Sequence, residues 1–219
     1  MADQITENKK AVIKIVYYGP ALSGKTTNLM QLHNILPPED RGELMSFDTK
    51  GDRTLFFDLL PMILTTENGF RIKIKLFTVP GQVAHDATRK AVLSRADGVV
   101  FVADSSKSQS MSNFESFDNL EKNAVRVGLD FNNLPLVVQY NKRDLYDIED
   151  ESEILNRWNP TGIPVIFSKA IYNEGVRSTF ELILKNTFSS ICKDHGYEED
   201  TSLLNPISCL FGSENSGNV

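Results

Sequence analysis

Eight consecutive residues carry the plainest chemistry in this chain. Gly19, Pro20, Ala21, Leu22, Ser23, Gly24, Lys25 and Thr26 fit the phosphate-binding pattern Gly-x4-Gly-Lys-[Ser/Thr]. A glycine-bounded loop that opens into a helix gathers free backbone N–H groups at the positive end of the helix dipole, and that makes a seat for an anion. Lys25 would reach the β- and γ-phosphates of a nucleotide and the Thr26 hydroxyl would hold a magnesium ion, with Gly19, Ala21, Leu22, Ser23, Gly24 and Thr27 cradling the phosphates. A plain strand-to-helix turn would need neither Lys25 nor Thr26.

A second group is Asn141-Lys142-Arg143-Asp144, which follows the apolar run 134–140. Open α/β sheets bind ligands at the carboxyl ends of such strands. The run resembles the guanine-recognition motif of the GTPase superfamily. Asp144 would accept hydrogen bonds from the guanine N1–H and exocyclic amine; adenine offers an acceptor at N1 and no amine at C2, so it leaves the carboxylate unpaired. Sites built on buried hydrogen bonds reject the wrong ligand by roughly 10⁴ to 10⁵. Asn141 would brace the loops and the stem of Lys142 would lie over the base. Later, Ser168-Lys169-Ala170 stands where GTPases carry a base-contacting Ser-Ala-Lys loop, in altered order.

Two further segments supply hydrolytic groups. Thr78-Val79-Pro80-Gly81-Gln82 looks like the second switch of Ras-like GTPases, in which the Gly81 amide senses the γ-phosphate and Gln82 orients the attacking water. The first residue is Thr78 where an Asp is usual, and Asp58 on the neighbouring strand either supplies the missing carboxylate to magnesium or faces solvent. In Asp52-Arg53-Thr54, Thr54 is placed to meet magnesium and the γ-phosphate, and Arg53 is a candidate arginine finger in cis. Such a finger is worth about 10³ to 10⁵ in rate. The alternative is a surface Arg53 paired with Asp52.

The elements that must position these groups alternate along the chain. Residues 11–18 are β-branched and aromatic, as a buried strand requires, and 27–36 place Leu29, Leu32 and Leu36 on one helical face before Pro37-Pro38. Residues 37–53 read as a long loop with a short strand near 44–47. Strands over 55–60 and 71–77 are joined across Asn68-Gly69, a hairpin signal; in the second, Ile72, Ile74 and Leu76 alternate with Arg71, Lys73 and Lys75. A helix is expected over 86–94, a core strand over 98–103 and a helix with Phe114, Phe117, Leu120, Ala124 and Val127 at helical spacing. A strand over 134–140, a short helix over 151–158, a strand over 165–167 and a closing helix with Val176, Phe180, Ile183, Leu184, Phe188 and Ile191 on one stripe complete the pattern. This is an α/β class: the small G-protein form of the P-loop NTPase fold, with a mostly parallel sheet, one antiparallel edge strand and helices on both faces.

Composition narrows the classes. The 219 residues allow one domain, expected over 11–193, after a polar segment 1–10 and before a tail 194–219 expected to be disordered. The net charge of −6 argues against non-specific binding to nucleic acid or anionic membranes. Cys192 and Cys209 lack metal-ligand spacing. Neither a signal peptide nor a transmembrane run is expected; neither a Cys-a-a-X box nor an N-myristoylation signal is encoded, so no lipid anchor is expected and a cytoplasmic location is the default.

In order, these segments resemble the MglA-type bacterial small GTPases, Ras-like proteins of cell polarity and of gliding or type IV pilus motility. The residues carrying the resemblance are 14–20 with 24–29, 52–58, 78–82, 97–105 and 139–145, within about residues 10 to 193. The Thr-x-Pro-Gly-Gln switch is usual for that family. The resemblance implies a GTP/GDP switch with weak intrinsic hydrolysis and a magnesium cofactor. It further implies a Roadblock/LC7-type (MglB-like) activating partner that brings Arg53 and Gln82 into the site, and polarity scaffolds that read the GTP form and recruit the protein to a cell pole. Ala21 stands where the family usually has glycine, and its methyl lies on the approach of Gln82 and Arg53. Two other readings stay open: a GTP-loaded interaction module with negligible turnover, and a P-loop kinase of a small metabolite.

Overall fold

A computed structural model describes residues 12–48, 56–65, 71–81 and 86–194 of the chain. Its elements run β1 (Val12–Tyr18), α1 (Lys25–Ile35), β2 (Met45–Asp48), β3 (Phe56–Thr65), β4 (Arg71–Thr78), α2 (Asp86–Leu93), β5 (Gly98–Asp104), α3 (Ser110–Arg126), β6 (Leu136–Asn141), α4 (Glu151–Trp158), β7 (Val165–Phe167) and α5 (Val176–Asp194). Arg53, Thr54 and Gln82, the Asn68-Gly69 turn, and the segments 1–10 and 195–219 lie outside the described residues.

The strands form one seven-stranded sheet in the order β2-β3-β4-β1-β5-β6-β7. From β4 to β7 all pairings are parallel, while β2–β3 and β3–β4 are antiparallel and make up one edge. The reason for the parallel part is visible in β5, Gly-Val-Val-Phe-Val-Ala-Asp, every residue of which is buried. Only a strand covered on both faces reads as an unbroken apolar run. In β1 the faces divide by alternation. Ile13, Ile15 and Tyr17 join the core beneath α1 and α5, with Leu29, Leu32, Phe180 and Leu184. Val16 and Tyr18 join the core on the other face, with Val92, Leu93, Leu120 and Ile154.

At the antiparallel edge β4 keeps Ile74 and Leu76 buried and exposes Arg71, Lys73 and Lys75. The loop that follows α1 is bound to β3 before β2 begins: Gly42 N–H donates to the Pro61 carbonyl (2.8 Å) and Ile63 N–H to that of Asp40 (2.8 Å). Pro61 costs β3 little, since a proline in a strand lacks only its own donor and still accepts.

On α3, Leu120 and Ala124 are buried and Phe117 and Val127 pack against the core as their spacing suggests, and one residue departs from that face. On α3 the buried residues are Asn113, Ser116, Leu120, Asn123 and Ala124, and Phe114 is 69% exposed. The apolar spacing alone suggested Phe114 as core. The face is set by polar residues with specific partners: Asn113 donates to the Asp104 carbonyl (2.8 Å) and accepts from the Asp104 amide (3.0 Å). A buried backbone group that must be paired outweighs one exposed ring. On α5, Val176, Phe180, Ile183, Leu184 and Phe188 are buried on the expected stripe.

Candidate functional site

The chain leaves β1 at Tyr18 and turns into α1 through Gly19 (φ 142°), Leu22 (φ 61°) and Gly24 (φ 102°). Gly24 is indispensable on two counts: its φ lies in the left-handed region, and a Cβ there would overlap the Asn141 amide nitrogen. It caps α1 without a side-chain hydrogen bond, so the first amides of the helix are left for an anion. The Ser23 hydroxyl, in the middle of the turn, is buried and without a hydrogen-bond partner among the described residues.

Lys25 is buried under this loop, and its ammonium donates to the carbonyls of Gly19 (2.9 Å) and Pro20 (2.6 Å). Burial, then the nearby Arg89 charge, push its pKa down to about 7, against a smaller upward pull from Asp58. A phosphate bound here would supply a negative charge beside this lysine.

Asp58 is 1% exposed and faces inward, so the solvent-facing alternative does not hold. Its carboxylate accepts from Thr26 Oγ1 (2.6 Å), Ser46 Oγ (2.7 Å) and Thr78 Oγ1 (2.9 Å), while its own amide donates to Thr78 Oγ1 (2.8 Å). Thr78 therefore braces Asp58 from the position where an Asp is usual. Hydroxyl and carboxylate oxygens of this kind suit magnesium, which needs one or two carboxylates and takes its other ligands from phosphate and water. No cluster of three or more His, Cys, Asp or Glu occurs among the described residues, which this mode of binding does not require.

At the other end of the loop Asn141 is 3% exposed and ties three segments together. Its Nδ2 donates to the Ser23 carbonyl (2.9 Å), and its Oδ1 accepts from Ser168 Oγ (3.0 Å) and from the Ala170 amide (2.9 Å). The Ser-Lys-Ala order thus still meets Asn141, through Ser168 and Ala170; Lys169 turns out to pair with Glu174 (2.8 Å). Lys142 has a φ of 67° and donates to Asp104 (2.7 Å), whose other oxygen accepts from the amide (2.9 Å) and hydroxyl (2.8 Å) of Ser106. Asp144 is exposed. Between them Arg143 donates to the Glu149 carbonyl (2.7 Å) and lies 5.1 Å from the Phe167 ring centroid, which fixes the loop from behind.

Gly81 packs against the phosphate loop, and a Cβ added to it would overlap the backbone of Ala21 and lie 2.9 Å from the Ala21 methyl. The structure thus brings together Gly19 to Thr26, Asp58, Thr78, Gly81, Asn141, Lys142, Ser168 and Ala170. Sequence reasoning missed Ser46, Asp104 and Arg89 as contributors. Only Asp104 left a signal, an acid ending an otherwise apolar core strand directly beside Asn141.

No family model matches this chain. It is 45% identical over 180 residues, 82% of this chain and 92% of the other, to the mutual gliding-motility protein MglA of Myxococcus xanthus (strain DK1622). It is also 32% identical over 92 residues, 42% of this chain and 30% of the other, to the small ribosomal subunit biogenesis GTPase RsgA of Clostridium kluyveri (strain NBRC 12016). The second likeness spans less than a third of its relative, whereas the first spans nearly all of it and agrees with the seven-stranded fold and the Gly-Lys-Thr loop. On that extent of identity the chain belongs to the MglA-type small GTPases, a guanine-nucleotide-binding family.

Proposed function

We propose that this protein is a GTP-binding switch that hydrolyses GTP slowly to GDP and controls bacterial cell polarity and gliding or pilus motility through partners that bind one nucleotide state. The observation that carries the nucleotide reading is the triple contact of Asn141, which joins the phosphate loop at Ser23 to the base loop at Ser168 and Ala170. A carboxylate left exposed beside that joint, Asp144, suits the paired donors of guanine.

In this reading the helix-α1 amides and Lys25 hold the phosphates, and Asp58 orients the Thr26 hydroxyl. Magnesium, held by Thr26 with Thr54 and Asp58, would offset phosphate charge. Gln82 positions water, and Arg53 stabilises the transferring phosphoryl group once a Roadblock/LC7-type partner orders the first switch. In this reading the G domain is the 11–193 segment. No described helix is long and apolar enough to cross a membrane. Recruitment to a cell pole would run through protein partners.

Competition of ATP against labelled GDP tests the base assignment, and tight ATP binding would refute Asp144 as the guanine reader in favour of a P-loop kinase. Single-turnover GTP hydrolysis with the activating partner tests the enzyme. A second reading is favoured by the close packing of Gly81 on Ala21, which crowds the place where hydrolytic groups must arrive. It is a GTP-loaded module without turnover, and the absence of any partner acceleration would select it.

A further inference from the structure

Arg89, on α2, heads the fully buried side chains by size and is 1% exposed. Its hydrogen-bond partners among the described residues are neutral oxygens: Nε donates to the Pro80 carbonyl (2.9 Å), Nη1 to Asn119 Oδ1 (2.9 Å) and Nη2 to the Gly81 carbonyl. Its guanidinium also lies 5.6 Å from the Tyr18 ring centroid. A desolvated cation that has no ion pair among the described residues is kept only where its donors are matched in geometry, and a planar fork that spans two successive carbonyls is a task lysine cannot perform.

The bonds have a defined consequence for Gly81. Its peptide bond to Pro80 is trans and planar, so anchoring the Pro80 oxygen on Arg89 turns the Gly81 N–H to the opposite side. Gly81 is at the same time held against Ala21 of the phosphate loop. The fork is itself fixed: Asn119 Oδ1 also accepts from the Tyr18 hydroxyl (2.5 Å) and from Asn123 Nδ2 (3.1 Å), and both asparagines donate to Asp86 Oδ1 (3.2 and 2.7 Å). Three donors on one amide oxygen leave Arg89 little freedom, and these bonds tie α2, α3 and β1 into one support for the Pro80-Gly81 segment.

We propose that Arg89 is a positioning residue for the terminal phosphate. By gripping the Pro80 and Gly81 carbonyls from the interior it presents the Gly81 amide to the γ-phosphate, so the protein separates GTP from GDP through a side chain that touches neither. This rests on the GTP-switch reading. No atom of Arg89 meets nucleotide in it; the effect passes through the Gly81 peptide.

The test is a pair of affinities on the full chain, for fluorescent GDP and for a non-hydrolysable GTP analogue, at saturating magnesium. Arg89→Lys and Asn119→Ala should each weaken the GTP analogue about tenfold, the size of one hydrogen bond to a charged group, and change GDP binding less than about twofold. Equal losses for both nucleotides would reduce Arg89 to structural support and overturn the proposal, as would an unchanged GTP-to-GDP ratio in both variants. If Arg89→Lys does not fold, Asn119→Ala reads the same ratio with Arg89 in place. A wild-type chain that binds neither nucleotide would overturn the GTP-switch reading and this proposal with it; a wild-type chain that binds both, with variants that fail the ratio, would overturn the role of Arg89 alone.

Discussion

Gly81 lies against Ala21 so closely that a methyl group on the glycine would occupy the alanine's backbone. The contact joins the segment proposed to read the γ-phosphate to the loop proposed to hold it. It explains why position 81 must lack a side chain in a region where its φ is not left-handed.

Substitutions at the two positions should act in opposite directions. Gly81→Ala is expected to lower partner-stimulated hydrolysis by roughly 100-fold, the scale of an ångström-sized misplacement in a site, while GDP still binds. Ala21→Gly should raise it by about tenfold on the same argument. Single-turnover measurements check both, and an accelerated Gly81→Ala enzyme would contradict the packing argument.

Lys25 gives the protein a pH signature. Its folded pKa, pushed down from 10.5 to about 7 by burial and the Arg89 charge, lies below the unfolded value. The unfolded chain therefore binds the extra proton between about pH 7 and 10.5, and the nucleotide-free protein should gain stability as pH rises through that window. Phosphate restores the proton, so nucleotide affinity should fall by about tenfold per unit above pH 7. Calorimetry in buffers of different ionisation enthalpy should report about one proton taken up at pH 8.5 and about none at pH 6.

Asp58→Asn keeps the shape of the carboxylate and removes the charge that Thr26, Ser46 and Thr78 donate to. Magnesium affinity in the GDP complex should drop by about 10- to 100-fold, as for other residues that orient metal ligands. The readout is GDP release with magnesium and with chelator. The two rates should converge in the variant; a preserved difference would remove Asp58 from the metal site.

Asn141→Ala removes the donor to Ser23 and the acceptor for Ser168 and Ala170, all in buried surroundings. The cost should be about 2 to 4 kcal/mol in denaturant unfolding of the nucleotide-free protein, because the former partners are left unpaired. A variant within about 0.5 kcal/mol of wild type would mean that the loops are held by other contacts.

Much of the fold was legible because its signals are local. The apolar run of β5, the alternation in β4 and the α5 stripe each follow from a strand or helix burying a definite face. Phe114 misled because periodicity counts apolar residues and cannot see that Asn113 and Asn123 have hydrogen-bond partners waiting for them on β5 and at Asp86. The weak Ser-Lys-Ala match could not be judged until the Ala170 amide and Ser168 hydroxyl were found on Asn141.

The sequence by itself pointed to a phosphate seat at Gly19 to Thr26 and placed Asn141 to Asp144 at a strand end, since loop, helix dipole and strand are neighbours along the chain. Tertiary structure alone decided that Asp58 turns inward to Thr26, that Asn141 reaches a carbonyl 118 positions away, and that a buried Arg89 fixes the backbone at Gly81. The physical reason is that a polar group's role depends on which partner satisfies it once water is excluded, and that partner is chosen by packing across the sheet, where sequence spacing carries no information.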